Sequence, residues 1–459
     1  MKTETQGESV ENPYHVDGDR SARSAWAGLL SAPGESRDKP RAVQGVESRR
    51  AALQLLDAVL RQGKSVDAEM GRSFRRLKRA DDRGLAAAIT GEVLRRLPDY
   101  DALIDSATKN PLPDEAKARM VLRMALAQAL ALGTPHHAAI ATALPLLAGG
   151  PKRLAHGVFG TLSRQEVKLP ETPTLPYPVS MRWQRHWDDA MVDAAAIAIA
   201  APPPLDIILA DPAETDDWAA KLGGHSLMPG HVRRERGSVT DLPGYAEGQW
   251  WVQDISASLP ARLFGAGEGR NILDLCAAPG GKTMQLVSQG WQVTALDRAD
   301  SRLTRLSENL ARTKLSAELI CADALNWATA DHYDAILVDA PCSATGIFRR
   351  HPDVLYRASP RLIAESAETQ TVMLDRASRW IKPGGTLVYA VCSLEPEEGE
   401  AVAERFLADH PAFTIEPIDA AMLPDGLTPS PEGWLRILPG QIADPGGADG
   451  FFIVRFRHS

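Results

Sequence analysis

The chain has 459 residues, with 51 Lys+Arg against 59 Asp+Glu and a formal net charge of −8. At roughly 100–200 residues per domain this length predicts two to four domains, while 44% hydrophobic and 24% charged residues exclude a mostly disordered, collagen-like or disulfide-framework protein. The acidic balance excludes a protein that coats nucleic acid by bulk charge, but not an enzyme with a local basic surface.

Residues 1–44, rich in Ser, Gly, Glu and Asp, read as a disordered tail. Its first residues, MKTETQGESV, lack the apolar core of a signal peptide. Over 45–165 the periodicity is helical. Ala52, Leu55, Leu56, Val59 and Leu60 form one apolar stripe, Leu94 lies on a second helix, and Met120 to Leu132 reads as a nearly all-apolar buried helix. Pro and Gly punctuate between them, and no strand pattern appears, so this segment is expected to be an all-α bundle. Residues 41–168 hold 21 Lys+Arg and 13 Asp+Glu, a net of +8, whereas residues 169–459 hold 25 and 39, a net of −14. The densest basic run, Arg72, Arg75, Arg76, Lys78, Arg79 and Arg83, is either a solvated helix face or a phosphate-binding one. Of this run, Arg75, Arg76 and Arg79 are the expected phosphate contacts.

Pro170, Pro173, Pro176 and Pro178 mark a stiff linker over 166–180. Trp183 and Trp187 follow at helical spacing, where core packing is preferred over base stacking. Residues 181–260 read as a small α/β subdomain with Leu205–Leu209 as a strand. Over 261–459 strands and helices alternate. Ile272–Cys276, Val293–Leu296, Glu318–Cys321, Ala335–Asp339 and Thr386–Val391 read as short buried strands, with helices at Ser301–Lys314 and Pro360–Ile381. This alternation predicts a parallel, doubly wound sheet of Rossmann type, whose ligands bind beyond the carboxyl ends of the strands.

Four cysteines, Cys276, Cys321, Cys342 and Cys392, form no Cys-x-x-Cys pair and have no zinc-type spacing with histidine. A reduced, cytoplasmic setting without a metal is expected. The longest apolar run, Ala194 to Ala201, is far short of the ~20 residues that span a bilayer.

The first strand end reads Asp274-Leu275-Cys276-Ala277-Ala278-Pro279-Gly280-Gly281-Lys282-Thr283. Adjacent glycines let the backbone approach a ligand, and a helix N-terminus with free amides follows. A P-loop is a rival for Gly281-Lys282-Thr283, but its leading glycine falls on Cys276. Asp297 ends the second strand, where a nucleoside-binding sheet places a carboxylate for the ribose hydroxyls, and Asp323 follows the third, set to meet an adenine amino group. A triphosphate site needs neither acid; an adenosyl group without phosphates can use both. Cys342 and Cys392 each follow a strand on this ligand side, which suggests covalent catalysis. Cys321 reads as an inert core residue and Cys276 as structural, its backbone lining the loop.

AAPGGKT at 277–283, DAPCSATG at 339–346, RRHPD at 349–353 and YAVCS at 389–393 resemble the RNA cytosine-C5 methyltransferases. The helical N-terminal segment is similar to the NusB-type RNA-binding fold. Together they resemble the ribosomal RNA small-subunit methyltransferase B family over roughly residues 45–458, including LPGQ at 438–441 and DGFF at 449–452. Ala344 replaces the family's usual glycine, Val391 its threonine and Ile255 its glutamate. Val354-Leu355-Tyr356 lacks the usual Lys-Trp pair, and the segment between LPGQ and DGFF is expanded.

The resemblance implies 5-methylcytosine formation in 16S ribosomal RNA from S-adenosylmethionine, by a monomer. Cys392 would be the nucleophile and Cys342 would assist proton removal. Asp339 would bond the base at N3, and Lys282 would position the base or lower a thiol pKa. Cofactor contacts would come from Cys276, Ala277, Ala278, Pro279, Gly280, Gly281, Lys282, Asp297, Arg302, Asp323 and Asp339, while Arg349 and Arg350 would hold phosphates flanking a splayed-out base. The alternatives are another RNA such as tRNA, a DNA cytosine methyltransferase using Cys342 as nucleophile, or a non-catalytic RNA-binding factor.

Overall fold

The structure, a computed structural model, describes residues 45–235 and 237–459; the tail expected over 1–44 lies outside the described residues. The chain divides into two compact units at Thr174–Leu175.

The first unit is helical: α1 (Val46–Gln62), α2 (Val66–Ser73), α3 (Ala80–Arg95), α4 (Leu97–Ser106), α5 (Lys117–Leu126), α6 (His136–Ala143) and α7 (Gly149–Arg164). The α1 stripe explains the packing. Ala52, Leu55, Leu56 and Val59 are buried against α3 and α5, with Leu60 half-buried at the stripe's margin. Each such aliphatic side chain contributes roughly 1.5–3 kcal/mol on burial. The segment Met120 to Leu132 departs from a single regular helix. It is α-helical only to Leu126, continues as a π-helical turn over Ala127–Ala131, and buries Arg123. Asp101 on α4 accepts from Arg119 Nε at 3.0 Å and from Arg123 Nε at 2.7 Å, and Asp105 accepts from Arg119 Nη1 at 2.7 Å. Paired in this way, the guanidiniums can sit in the interior.

The second unit opens with α8 (Tyr177–His186), which begins inside the proline-rich stretch, and α9 (Asp189–Ile199). The two helices pack Val179, Trp183, Met191 and Ile199 against Phe348, Leu355 and Leu394. A small antiparallel sheet in the order β2-β1-β3 follows, from β1 (Leu205–Leu209), β2 (His231–Arg234) and β3 (Trp250–Val252), with α10 (Thr215–Leu222) beside it. Next come α11 (Ile255–Arg262), capped by Asp254, β4 (Asn271–Leu275), α12 (Gly281–Ser288), β5 (Gln292–Asp297), α13 (Asp300–Thr313), β6 (Glu318–Cys321), β7 (Tyr333–Asp339), α14 (Val354–Arg357), α15 (Pro360–Ser378), β8 (Ile381–Val391), α16 (Glu400–Asp409), β9 (Phe413–Ile415), β10 (Leu435–Ile437) and β11 (Phe451–His458).

The large sheet runs β10-β11-β8-β7-β4-β5-β6, with β9 also on β11. Strands β4 to β8 pair in parallel as expected, but β11 is antiparallel to β8, and β9 and β10 are antiparallel to β11. The sheet is therefore mixed. Two apolar layers cover its faces: one contains Leu259, Leu286 and Leu306, the other Met373, Leu374 and Phe406. The edge strand β6 corrects one expectation. Its residues are exposed or half-buried and Cys321 is exposed, because among the described residues no further strand pairs with its outer edge.

Candidate active site

Strand β4 delivers Asp274 and Leu275 to the carboxyl end of the sheet, and the chain then turns sharply into α12. Cys276 takes φ 62° and Gly280 φ 106°, both left-handed, which is the conformation glycine adopts at least cost. A Cβ on Gly280 would lie 2.9 Å from Leu306. Asp297 at the end of β5 pins this turn: Oδ2 accepts from the Ala278 amide at 3.2 Å and Oδ1 from the Ala299 amide at 3.0 Å. Arg302 lies 3.5 Å from Asp297 and also donates to the Ala278 carbonyl. Oδ1, with the Ala299 amide as its donor, retains a second lone pair. Asp323 is half-buried and accepts from the Leu325 amide at 2.9 Å.

Asp274 is fully buried. One oxygen accepts from the Thr283 hydroxyl at 2.6 Å, and Oδ1 has no partner. Burial pushes its carboxyl up to about 7, against the Thr283 bond and with help from Asp339. Folded, this group holds its proton more tightly than an unfolded aspartate at about 3.9. Its contribution to stability is therefore full below the unfolded value and is lost as pH rises through about 7. Asp274→Asn should flatten the fall in melting temperature over that window; identical pH slopes for the two proteins would contradict this.

An orphaned buried acceptor, a left-handed glycine turn and the free amides at the start of α12 suit a small ligand with a cationic end and polar hydroxyls. They suit a triphosphate less well, because Lys282 is not available to one: its Nζ lies 2.8 Å from Asp339 Oδ2. Burial opposes the Lys282 charge, but the charge and hydrogen bond of Asp339 outweigh it, and the ammonium pKa rises. Burial, with the acids Asp339, Asp297 and Asp274 adding, pushes the Cys276 thiol up to about 12. A thiol held protonated is unreactive, which matches its structural reading.

The two other thiols meet because their strands are neighbours. β7 and β8 pair with Asp339 opposite Ala390, so the loops leaving them emerge side by side. Cys342 Sγ and Cys392 Sγ are 3.5 Å apart. The hydrogen bond to Cys392, then burial, then the charges of Cys392 and Glu398 push the Cys342 thiol well up. Either sulfur can be the donor in this contact.

Glu398 ties the two loops together. It is fully buried, and its carboxylate accepts from the Ser343 amide at 2.8 Å, from the Ser343 and Ser393 hydroxyls, and from Gln370 Nε2 at 3.2 Å. Burial raises its pKa against these bonds. Close backbone contact completes the frame. Gly346 donates to the Cys392 carbonyl at 3.0 Å and accepts from the Gly450 amide at 2.9 Å. A Cβ on Gly346 would stand 2.0 Å from the Gly450 oxygen. Behind Cys392, Glu395 accepts a bidentate pair from Arg182 at 2.7 and 3.0 Å and a bond from Trp183 Nε1 at 3.0 Å. Trp183 is therefore a fully buried support, not a stacking platform.

Arg349 and Arg350 require correction as phosphate contacts. Arg349 is buried, with Nη2 2.9 Å from Asp254 and 2.8 Å from Asp449, and Arg350 Nε is 3.0 Å from Asp449 and also bonds Asp254. These guanidiniums lock the loop after β7 to the start of α11 and to the approach to β11. Releasing them to a phosphate would leave two buried carboxylates uncompensated. In the first unit, Arg75, Arg76 and Arg79 are all exposed, with Arg79 2.9 Å from Asp81.

Sequence reasoning missed Glu398, Glu395, Arg182, Ser343 and Ser393. The last two adjoin the cysteines within the quoted motifs, but nothing distinguishes Glu398 from Glu395, Glu397 and Glu400 before the loop is folded. Among the described residues, no cluster of His, Cys, Asp or Glu is arranged to hold a metal ion, and no helix is long and apolar enough to cross a membrane.

Residues 262–457 match the family described as 16S rRNA methyltransferase RsmB/F, and residues 46–148 match the NusB family. The chain is 33% identical over 435 residues to the ribosomal RNA small subunit methyltransferase B of Klebsiella pneumoniae (strain 342), covering 89% of this chain and 98% of that one. It is likewise 33% identical over 433 residues to the protein of the same name from Xylella fastidiosa (strain Temecula1 / ATCC 700964), covering 90% and 98%. Among solved structures, PH0851 is similar with a TM-score of 0.70 at 20% identity, over 93% of this chain and 99% of that one. NSun6 from Pyrococcus horikoshii with SFG is similar with a TM-score of 0.54 at 17% identity, over 62% and 98%.

Proposed function

Since the chain belongs to the ribosomal RNA small subunit methyltransferase B family, S-adenosylmethionine-dependent enzymes of ribosomal RNA, we propose that it forms 5-methylcytosine in 16S ribosomal RNA through a covalent bond between Cys392 and the target base. The observation that carries this reading is the thiol pair: two sulfurs 3.5 Å apart where two adjacent parallel strands end, on the ligand side of the sheet.

Carbon 5 of cytosine is a weak nucleophile. Addition of the Cys392 thiolate at carbon 6 makes carbon 5 enamine-like, and the negative charge that builds falls on the ring at N3. The Lys282–Asp339 pair places a proton donor for that charge beside the thiols. S-adenosylmethionine, when bound, supplies an electrophilic methyl group. The turn from Asp274 to Gly281, with Asp297, Asp323 and Asp339 around it, is the set of residues that would hold it. The carbon-5 proton must then leave so that the Cys392–carbon-6 bond can break. Cys342, 3.5 Å from Cys392, is the group positioned to assist its removal.

The test is the identity of the product. After incubation with S-adenosylmethionine and small-subunit ribosomal RNA, digestion to nucleosides should yield 5-methylcytidine. A methyl group on a ring nitrogen or a ribose oxygen would refute the chemistry, and methylation of tRNA with none of ribosomal RNA would refute the substrate.

A further inference from the structure

The thiol chemistry leaves one cavity unused. At the end of the sheet opposite the thiols lies a hollow of about 250 Å³ whose charged lining is Arg270, Lys382, Arg455, Arg457, Asp334 and Glu416. An irregularity in the sheet opens it. Tyr333 pairs with Ile381 but Ala335 pairs with Thr386, so Lys382–Gly385 loop out opposite the single residue Asp334, with Gly384 turning at φ 73°. Because β11 is antiparallel to β8, it brings Arg455 and Arg457 to this same end. Cys392 lies six residues along β8 from Thr386, about 20 Å at 3.3 Å per residue.

Four cations face two carboxylates here, in a stretch of chain that is otherwise strongly acidic. Lys382 is 2.8 Å from Asp334, and Arg455 is 3.4 Å from Glu416. The other two cations bond neutral oxygens. Arg270 donates to the Gly267 and Ala266 carbonyls and lies over the Trp291 ring at 4.6 Å, while Arg457 donates to the Thr386 hydroxyl at 3.1 Å. Neutral acceptors orient a guanidinium without cancelling its charge, so the hollow has an excess of positive charge. Arg270 and Arg457 are both exposed, at a rim that a polymer can cross.

We propose that this hollow binds a phosphodiester of the RNA substrate at a point remote from the target cytosine, with Arg457 and Arg270 as the phosphate ligands. The proposal rests on the reading of RNA as the substrate. A monoanionic phosphodiester can accept from two guanidiniums at once. A contact about 20 Å from the thiols would set the register of the RNA across the second unit, where the acidic surface otherwise repels it.

Arg457→Glu tests this against Arg405→Glu, the same charge change at an exposed position of α16. RNA affinity and methyl transfer are measured across salt concentrations, with melting temperatures confirming that both variants fold. Arg457→Glu should weaken RNA binding and raise KM for RNA by about tenfold at low salt, and make the slope of log affinity against log salt shallower by about one contact. Its kcat at saturating RNA should be unchanged, and Arg405→Glu should match the wild type throughout. Equal affinities and slopes for the two variants would overturn the proposal. So would inorganic phosphate raising the melting temperature of the wild type but not of Arg457→Glu while RNA affinity stays constant, since the hollow would then serve a free anion. Failure of the wild type to methylate any RNA would instead remove the substrate reading itself.

Discussion

Cys392→Ala is expected to reduce methyl transfer by on the order of 10⁴-fold or more, as loss of an attacking nucleophile does elsewhere. Without addition at carbon 6, carbon 5 has no route to sufficient nucleophilicity, and no other group supplies one. Cys342 does not replace it, because it leaves the end of the neighbouring strand and its sulfur stands 3.5 Å from the Cys392 position. The substitution removes one half-buried sulfur and leaves the Asp274–Gly281 turn intact, so affinity for S-adenosylmethionine should survive. Single-turnover methyl transfer together with cofactor-binding calorimetry checks both halves. A variant retaining a few per cent of the wild-type rate would contradict the assignment.

Glu398→Ala is expected to lower kcat by on the order of 10²-fold, the scale of a misplaced reacting group, and to lower the melting temperature as well. The carboxylate touches no reacting atom, so its role is positioning. It holds Ser343, one residue from Cys342, and Ser393, one residue from Cys392. Its removal takes the acceptor from the buried Ser343 amide, at about 1–3 kcal/mol for such a group, and leaves the Ser343 and Ser393 hydroxyls only each other and Thr345. Glu398→Gln separates the two effects. It preserves volume and one acceptor but turns an NH2 donor toward groups that themselves donate, so stability should largely recover while kcat remains depressed. KM for S-adenosylmethionine should not move in either variant. Full recovery of kcat in Glu398→Gln would show that Glu398 only fills space.

How far such roles can be read before folding depends on whether the signal is local. AAPGGKT is a local signal: small residues and glycines between an apolar strand and a helix start mark a ligand-side turn, shared with P-loops, and the turn sits where the motif placed it. Cys342 and Cys392 are 50 residues apart in the chain, yet each sits directly after a strand, so sheet architecture alone sends both to one end. The antiparallel strand β11 was less legible. Phe451–His458 is an apolar run in which Arg455 and Arg457 occur at alternate positions, and nothing within it encodes its direction. Its partner β10 is only three residues long.

Charged residues misled most where burial decides their role. Arg349 and Arg350 in a basic motif look like phosphate ligands, but their partners Asp254 and Asp449 lie about a hundred residues away in the chain. The NusB-like first unit shows the same limit. Its +8 excess is correct as arithmetic, yet Arg119 and Arg123 are tied to Asp101 and Asp105 in its interior. Only exposed cations such as Arg75 and Arg76 remain on the surface. Composition counts charge, and only the fold distinguishes a surface cation from a structural one.

The central claim is the division of labour between the two thiols, and trapping the covalent intermediate tests it most directly. Cys342→Ala and Cys392→Ala are each incubated with S-adenosylmethionine and ribosomal RNA and resolved on a denaturing gel. Cys342→Ala should accumulate a protein–RNA adduct carrying the transferred methyl group, because the base is attacked and methylated but not released; Cys392→Ala should form none. An adduct with Cys392→Ala and none with Cys342→Ala would contradict the account and make Cys342 the nucleophile.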